Sequence, residues 1–298
     1  MVKVCQKEFP ETDGFYMDGY LKENMDILIE SIGNDFDFII LISGKGMTRI
    51  GKSQIGKQIG FYINSEVNRI YKNNNEYTAE NNFVFRGKQL IEKGKDSPKY
   101  VVINFDEAGA DLMARKTMHS TTQAVLDYLR ECGQKNQFLI CILPDFFDLP
   151  KGIALTRSVC LIDVDFVEKF NRGKLRFYGR KAKKLLYLKG KKFLDYEAYR
   201  PDFHGAFTNF SPIDEEKYKQ MKLDALHGRE KDETDKANNK NSAYRKVLDK
   251  WWDSVYYDYK IGKMAQLAIA KKHNCSQSEV SKIVIALDEK YGKNTTGQ

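Results

Sequence analysis

The sequence predicts an α/β fold with a mostly parallel sheet, followed by a small all-α module, and three observations carry that expectation. Short apolar runs, Phe38-Ile39-Ile40-Leu41-Ile42, "YVVINF", "QFLICIL" and "SVCLIDVDF", read as strands covered on both faces. Stretches of helical periodicity alternate with them, as βαβ units require. Residues 228–242, "GREKDETDKANNKNS", hold almost nothing that can be buried and read as a polar linker to the C-terminal helices.

Taken in order, residues 17–32 ("MDGYLKENMDILIESI") predict an amphipathic helix leading into the first strand. That strand runs into "LISGKGMTRIGKSQIG", where Gly46, four residues and Gly51-Lys52-Ser53 fit G-x-x-x-x-G-K-[ST] without a mismatch. Ile55, Ile59 and Ile63 then predict a helix. Strand, glycine loop and helix form the context of a phosphate-binding loop (P-loop). Glycines let the backbone wrap a phosphate chain, and the N–H groups of the helix start face the anion. The expected nucleotide contacts are Gly46, Met47, Thr48, Arg49, Ile50, Gly51, Lys52, Ser53 and Gln54. Lys52 is expected to reach the β- and γ-phosphates, and the Ser53 hydroxyl to hold magnesium. A glycine-rich turn with a surface lysine is the alternative, and the flanking strand and helix argue against it.

Beyond a polar loop, "YKNNNEYTAENN", the stretch "FVFRGKQLIEKG" predicts a short strand turning into a helix. The next strand, "YVVINF", ends in Asp106-Glu107, at the C-terminal edge where α/β sheets hold ligands. Asp106 is expected to hold the metal through water, and Glu107 to polarise the attacking water. Two carboxylates that merely cap a strand-to-helix loop are the alternative. The expected cofactors are therefore ATP and Mg2+. Charge on a transferred phosphoryl group calls for a further cation, often an arginine of a neighbouring subunit, and Arg115 and Arg157 are the candidates, with ordinary surface residues as the alternative. "TTQAVLDYLREC" predicts a helix before "QFLICIL", beyond which Asp145 is a candidate sensor.

The net charge is +8, and from Lys169 to Arg200 twelve Lys/Arg face only Asp195 and Glu197. Basic residues alternate with aromatics in "KLRFYGRKAKKLLYLKGKKF", which predicts a basic β-hairpin extension over about 169–200. Arg172, Lys174, Arg176, Arg180, Lys181, Lys183 and Lys184 are its expected contacts to a polyanion, with a solvated charged face as the alternative. The predicted organisation is an ATPase domain over 1–227, a linker over 228–242 and a DNA-binding domain over 243–298.

Within that last segment, "MAQLAIAKKHNCSQSEVSKIVIAL" (264–287) predicts a helix-turn-helix. Ala270 suits a helix crossing, Asn274 a left-handed turn, Val280 and Ile283 the buried face, and Ser276 with Glu279 a capping box. Gln277, Ser278, Ser281 and Lys282 are left outward, able to reach DNA bases or phosphates. Trp251, Trp252 and Tyr256 are expected to close the small core; a helical hairpin that binds protein or only packs is the alternative. Five scattered cysteines without a C-x-x-C pair, and four histidines without metal spacing, predict neither a disulfide framework nor a zinc site. No apolar run approaches a membrane span and the N-terminus lacks a signal-peptide pattern, so no membrane partner and a cytoplasmic location are expected.

"DFDFIILISGKGMTRIGKS", "VVINFDEAGADLMARKTM" and "FLICILPDFFDLPKGIALTRS" together resemble ATPases of phages, plasmids and mobile elements. The resemblance is to the FtsK–HerA group of DNA-pumping motors and the zonular-occludens-toxin-like phage ATPases, over roughly residues 17–166. It implies a RecA-like, additional-strand P-loop NTPase working on DNA as a homo-oligomeric ring, with a hexamer as one option. For a viral chain the location it implies is the host cytoplasm. Pro144-Asp145 stands where such motors often carry a glutamine. An ATP-regulated DNA-binding switch that does not translocate is the alternative function.

Overall fold

In the computed structural model, which describes residues 2–3, 15–114, 120–167 and 171–292, the chain divides into two compact units, Met1–Ala225 and Leu226–Gln298. The first unit contains β1 (Val2–Lys3), β2 (Tyr16–Met17), α1 (Gly19–Ile32), β3 (Phe38–Ser43), α2 (Lys52–Tyr71), α3 (Ala79–Asn82) and β4 (Phe83–Val84). There follow α4 (Gly87–Asp96), β5 (Val102–Phe105), α5 (Gly109–Leu112), α6 (Ser120–Glu131), β6 (Phe138–Ile142), β7 (Cys160–Val167), β8 (Asn171–Tyr178), α7 (Arg180–Gly190) and β9 (Phe203–Ala206). Helix α8 (Glu215–Lys260) begins in the first unit and ends in the second, which adds α9 (Gln266–Lys272) and α10 (Gln277–Gly292).

The first unit is α/β. Among the described residues, seven strands form its main sheet in the order β4-β5-β6-β3-β7-β8-β9. The neighbours from β4 to β7 run parallel, and β8 and β9 join antiparallel at one edge. Alternation along the central strand shows why the sheet is covered twice. Phe38, Ile40 and Ile42 of β3 enter one apolar cluster with Leu21, Met25 and Ile29 of α1 and Ile55, Ile59 and Ile63 of α2. Ile39 and Leu41 enter the other, with Leu90 of α4, Val125 and Leu129 of α6 and Leu186 of α7. The first helix begins where expected, because Asp18 Oδ1 accepts from the N–H groups of Tyr20 and Leu21 at 3.1 and 3.2 Å.

Two expectations are corrected here. The basic stretch does open as a hairpin, with Asp163 of β7 opposite Arg176 of β8, but its lysine-rich half is helix α7, not strand. Ala182, Leu186 and Gly190 repeat every four residues and are buried, a period masked by the lysines between them. The predicted linker, 228–242, lies inside α8. No glycine or proline interrupts the chain from Arg229 to Lys260, and Glu, Lys and Arg favour helix without needing a core. Lack of buriable side chains is therefore no sign of an unstructured backbone here.

In the second unit Val255, Ile269, Ala270, Val280, Ile283, Val284 and Leu287 form a small core, with Trp251, Trp252 and Tyr256 packed against it. No helix among the described residues is long and apolar enough to cross a membrane.

Candidate functional site

The end of β3 is the starting point. From Ser43 the chain turns through residues 44–51 into α2, with left-handed backbone at Lys45 (φ 42°), Gly46 (70°), Arg49 (59°) and Gly51 (104°). At Gly51 a side chain would be doubly excluded: its φ disfavours one, and a Cβ there would come within 2.8 Å of the Phe207 ring. The loop is pinned to the neighbouring strand, because Gly46 N–H donates to Pro144 O just past β6 at 3.0 Å. Lys52 folds back over the loop and donates from Nζ to Met47 O at 2.6 Å. Burial lowers its pKa, against the opposing pull of Glu107, Asp106 and Asp145.

One bond joins the loop to the second motif. Ser53 Oγ, in the first turn of α2, donates to Asp106 Oδ2 at 3.0 Å, across 53 residues of sequence. Asp106 is buried just past β5, and its Oδ1 accepts from Glu107 N–H at 3.0 Å. Glu107 itself is left-handed at φ 61°, a conformation rare for any residue but glycine and one that concentrates at functional sites.

Around these carboxylates lies a cleft of about 500 Å³, within the range of small-molecule sites. Arg49, Lys52, Lys57, Arg172, Lys219 and Lys222 line it against only Asp106 and Glu107, so it attracts a highly charged anion. A larger cleft, of about 810 Å³ beside β4, has four carboxylates (Glu76, Glu80, Glu92, Asp96) to one lysine, Lys93, and no glycine loop; it does not suit phosphate.

Among the expected contacts, Thr48, Arg49, Gly51, Lys52, Ser53 and Gln54 line the cleft. Met47 is exposed, whereas the Ile50 side chain is buried and offers only backbone. Gln54 is partly diverted, since its amide donates to Asn209 O at 3.2 Å and to Phe210 O, clamping the segment ahead of α8 onto α2. Ser53 and Asp106 present hard oxygen donors, which suit magnesium; that ion keeps several waters and takes phosphate oxygens as well. Among the described residues no group of three or more His, Cys, Asp or Glu could make an all-protein metal cage.

The predicted extra cations fare differently. Arg115 lies outside the described residues. Arg157 is engaged within its own chain: its Nε donates to Leu129 O at 2.5 Å and its guanidinium pairs with Asp37. Asp37 precedes β3, whereas the glycine loop follows it, and a strand of six residues separates the two by about 20 Å. Arg157 thus braces the opposite edge of the sheet. Asp145 accepts from Phe147 N–H at 2.8 Å and from Tyr196 Oη at 3.0 Å, and that hydroxyl is also 2.8 Å from Ser43 Oγ. The candidate sensor is therefore wired to the end of β3.

Two expected DNA contacts are corrected as well. Lys183 is fully buried, donating to Ala154 O (2.6 Å), Ser158 O (2.9 Å) and Ser158 Oγ (2.7 Å). Arg176 is bound from Nε (2.9 Å) and a terminal nitrogen (2.5 Å) to the buried Asp163, whose carboxyl is pushed up to about 7 by burial despite that partner. Neither can reach a phosphate. Lys174, Arg180, Lys181 and Lys184 are exposed, as is Arg172 at the cleft.

The turn between α9 and α10 has the expected local geometry. Asn274 has φ 51°; Ser276 N–H donates to Glu279 Oε2 at 2.8 Å, and Glu279 N–H donates back to Ser276 Oγ at 3.2 Å. Gln277, Ser278 and Lys282 are exposed and Ser281 half-buried at the start of α10.

Sequence reasoning missed Lys57, Tyr218 and Lys222. Tyr218 Oη donates to Asp106 Oδ2, and Lys222 Nζ lies 3.1 Å from that oxygen and 2.8 Å from Glu107 Oε1. Burial opposes the Lys222 charge, but the two carboxylates outweigh it and raise its pKa. The available signal was spacing: Lys57 stands four residues after Ser53, and Glu215, Tyr218 and Lys222 fall on one helical stripe. No family model, curated protein or solved structure matches the chain.

Proposed function

We propose that this protein is a magnesium-dependent ATPase acting on DNA, a motor of the RecA-like, additional-strand P-loop type. The observation that carries the reading is the Ser53–Asp106 bond, which closes a left-handed glycine loop onto a buried carboxylate with Glu107 beside it. Strand order supports the class, since β6 stands between the loop strand β3 and the carboxylate strand β5. The cation-rich cleft fits a triphosphate. Ser53 would hold the metal directly and Asp106 through water, and the metal, when bound, neutralises charge on the β- and γ-phosphates. Lys52 leaves the Met47 carbonyl for the phosphates. Glu107 orients and polarises the water that attacks the γ-phosphorus, and ADP departs with the bridging oxygen. Exposed cations of β8 and α7, and the outward residues of α10, support DNA as the partner.

The test is the ATPase rate measured against DNA length, with the mass of the assembly. A motor turns over faster on longer DNA of any sequence and forms a closed ring. Lys52→Ala should abolish nucleotide binding or turnover, and near-normal turnover in that variant would refute the nucleotide site. Slow turnover with preference for one sequence would assign the switch function instead.

A further inference from the structure

The start of α8 reaches the site through one stripe of side chains. Glu215 Oε1 accepts from Lys57 Nζ at 2.6 Å, and that ammonium lies 3.8 Å from the centre of the Tyr218 ring. Tyr218 and Lys222 then both act on Asp106.

Counting lone pairs shows what this does. An ionised carboxylate has about four acceptor directions. Asp106 Oδ1 takes the Glu107 N–H, while Oδ2 takes Ser53 Oγ, Tyr218 Oη and Lys222 Nζ. Oδ2, with about two lone pairs for three donors, is already oversubscribed, so a metal or its water can take that oxygen only once a donor leaves. Ser53 is itself an expected metal ligand, and Tyr218 is buried. Lys222 is the one of the three that combines a flexible stem, partial exposure and a positive charge that opposes a metal ion at the same oxygen. It also spans to Glu107, so one ammonium bridges both carboxylates and offsets half of their charge.

We propose that Lys222 is a tethered competitor of Mg2+: it occupies the Asp106–Glu107 pair, and loading of the metal–nucleotide complex displaces it and frees the first turns of α8 from the site. This rests on the nucleotide-site reading above and adds its regulation.

The experiment uses the full chain and a fluorescent ADP (the N-methylanthraniloyl derivative), whose binding is followed while Mg2+ is titrated. Removing a unit charge a few ångströms from the metal position should lower the half-saturating Mg2+ concentration about tenfold in Lys222→Met. Lys222→Arg should stay near the wild type. In the wild-type protein, acylation of Lys222 by an amine reagent, read by peptide mass, should rise with Mg2+ and ADP but not with ADP and chelator. This second readout needs no variant to fold. An unchanged Mg2+ half-saturation in Lys222→Met, or an unchanged Lys222 reactivity, overturns the proposal. Lost turnover at unchanged Mg2+ affinity would make Lys222 a cation for the transferred phosphate and also overturn it. Failure of the wild type to bind the probe at any Mg2+ concentration would instead sink the nucleotide site, and this inference with it.

Discussion

Lys183 on α7 and Lys222 on α8 are both drawn out of water, and their surroundings make them opposite devices. Lys183 meets only neutral oxygens, those of Ala154 and Ser158, and burial lowers its pKa to about 8. Lys222 meets two carboxylates, which raise its pKa although burial works against them. The first, fully buried, ties α7 to the turn ahead of β7. The second lies at a cleft lined with cations, on the carboxylates of Asp106 and Glu107. Neutral acceptors leave a buried lysine's charge uncompensated, whereas carboxylates hold it in place.

The comparison can be broken at several points. Glu107→Gln should retain nucleotide binding and lose about 10³-fold in turnover, because an amide cannot polarise water as a carboxylate does. Equal loss of binding, measured with a fluorescent nucleotide, would make Glu107 structural. Lys183→Met should instead cost about 2–3 kcal/mol of stability in urea unfolding, since buried oxygens of Ala154 and Ser158 lose their donor. Nucleotide affinity per folded molecule should not change.

Lys183 also predicts a pH dependence. Its folded pKa, about 8, lies below the ordinary 10.5, so between these values the unfolded chain binds more protons. Stability should therefore gain a component that rises from pH 8 to pH 10.5 and is missing in Lys183→Met. A parallel pair of profiles would show that Lys183 is not desolvated.

The smallest effect sharpens the division among the basic residues. Changing the exposed Lys174, Lys181 and Lys184 to Gln should flatten the salt dependence of DNA affinity by roughly 2–3 logarithmic units, at about −0.9 per phosphate contact. Lys183→Met should leave that slope alone. An unchanged slope in the triple variant would mean that these exposed lysines are a solvated face.

Legibility in the sequence followed the range of the forces involved. The glycine loop at 44–51 and the capping box at Ser276 and Glu279 were readable because each satisfies its geometry within a few residues. The strands β3, β5, β6 and β7 were readable because burial on both faces demands unbroken apolar runs. Helix α7 was misread because its lysines outnumbered the apolar period that packs it, and the middle of α8 because helix propensity needs no apolar residue. Lys183 and Arg176 counted as surface charge in the sequence, where an interior acceptor such as Ser158 or Asp163 is invisible.

The alternation of strands and helices, the loop at Gly46–Ser53, the carboxylates at Asp106 and Glu107, and the capped turn between α9 and α10 were all written into the sequence, since local backbone limits and periodic burial act along the chain. Tertiary structure alone decided which cations face water, which brace the interior, and which one sits on the carboxylates. Lys222 meets Asp106 from 116 residues away, and the energy of that meeting depends on a distance and a dielectric that no stretch of sequence specifies.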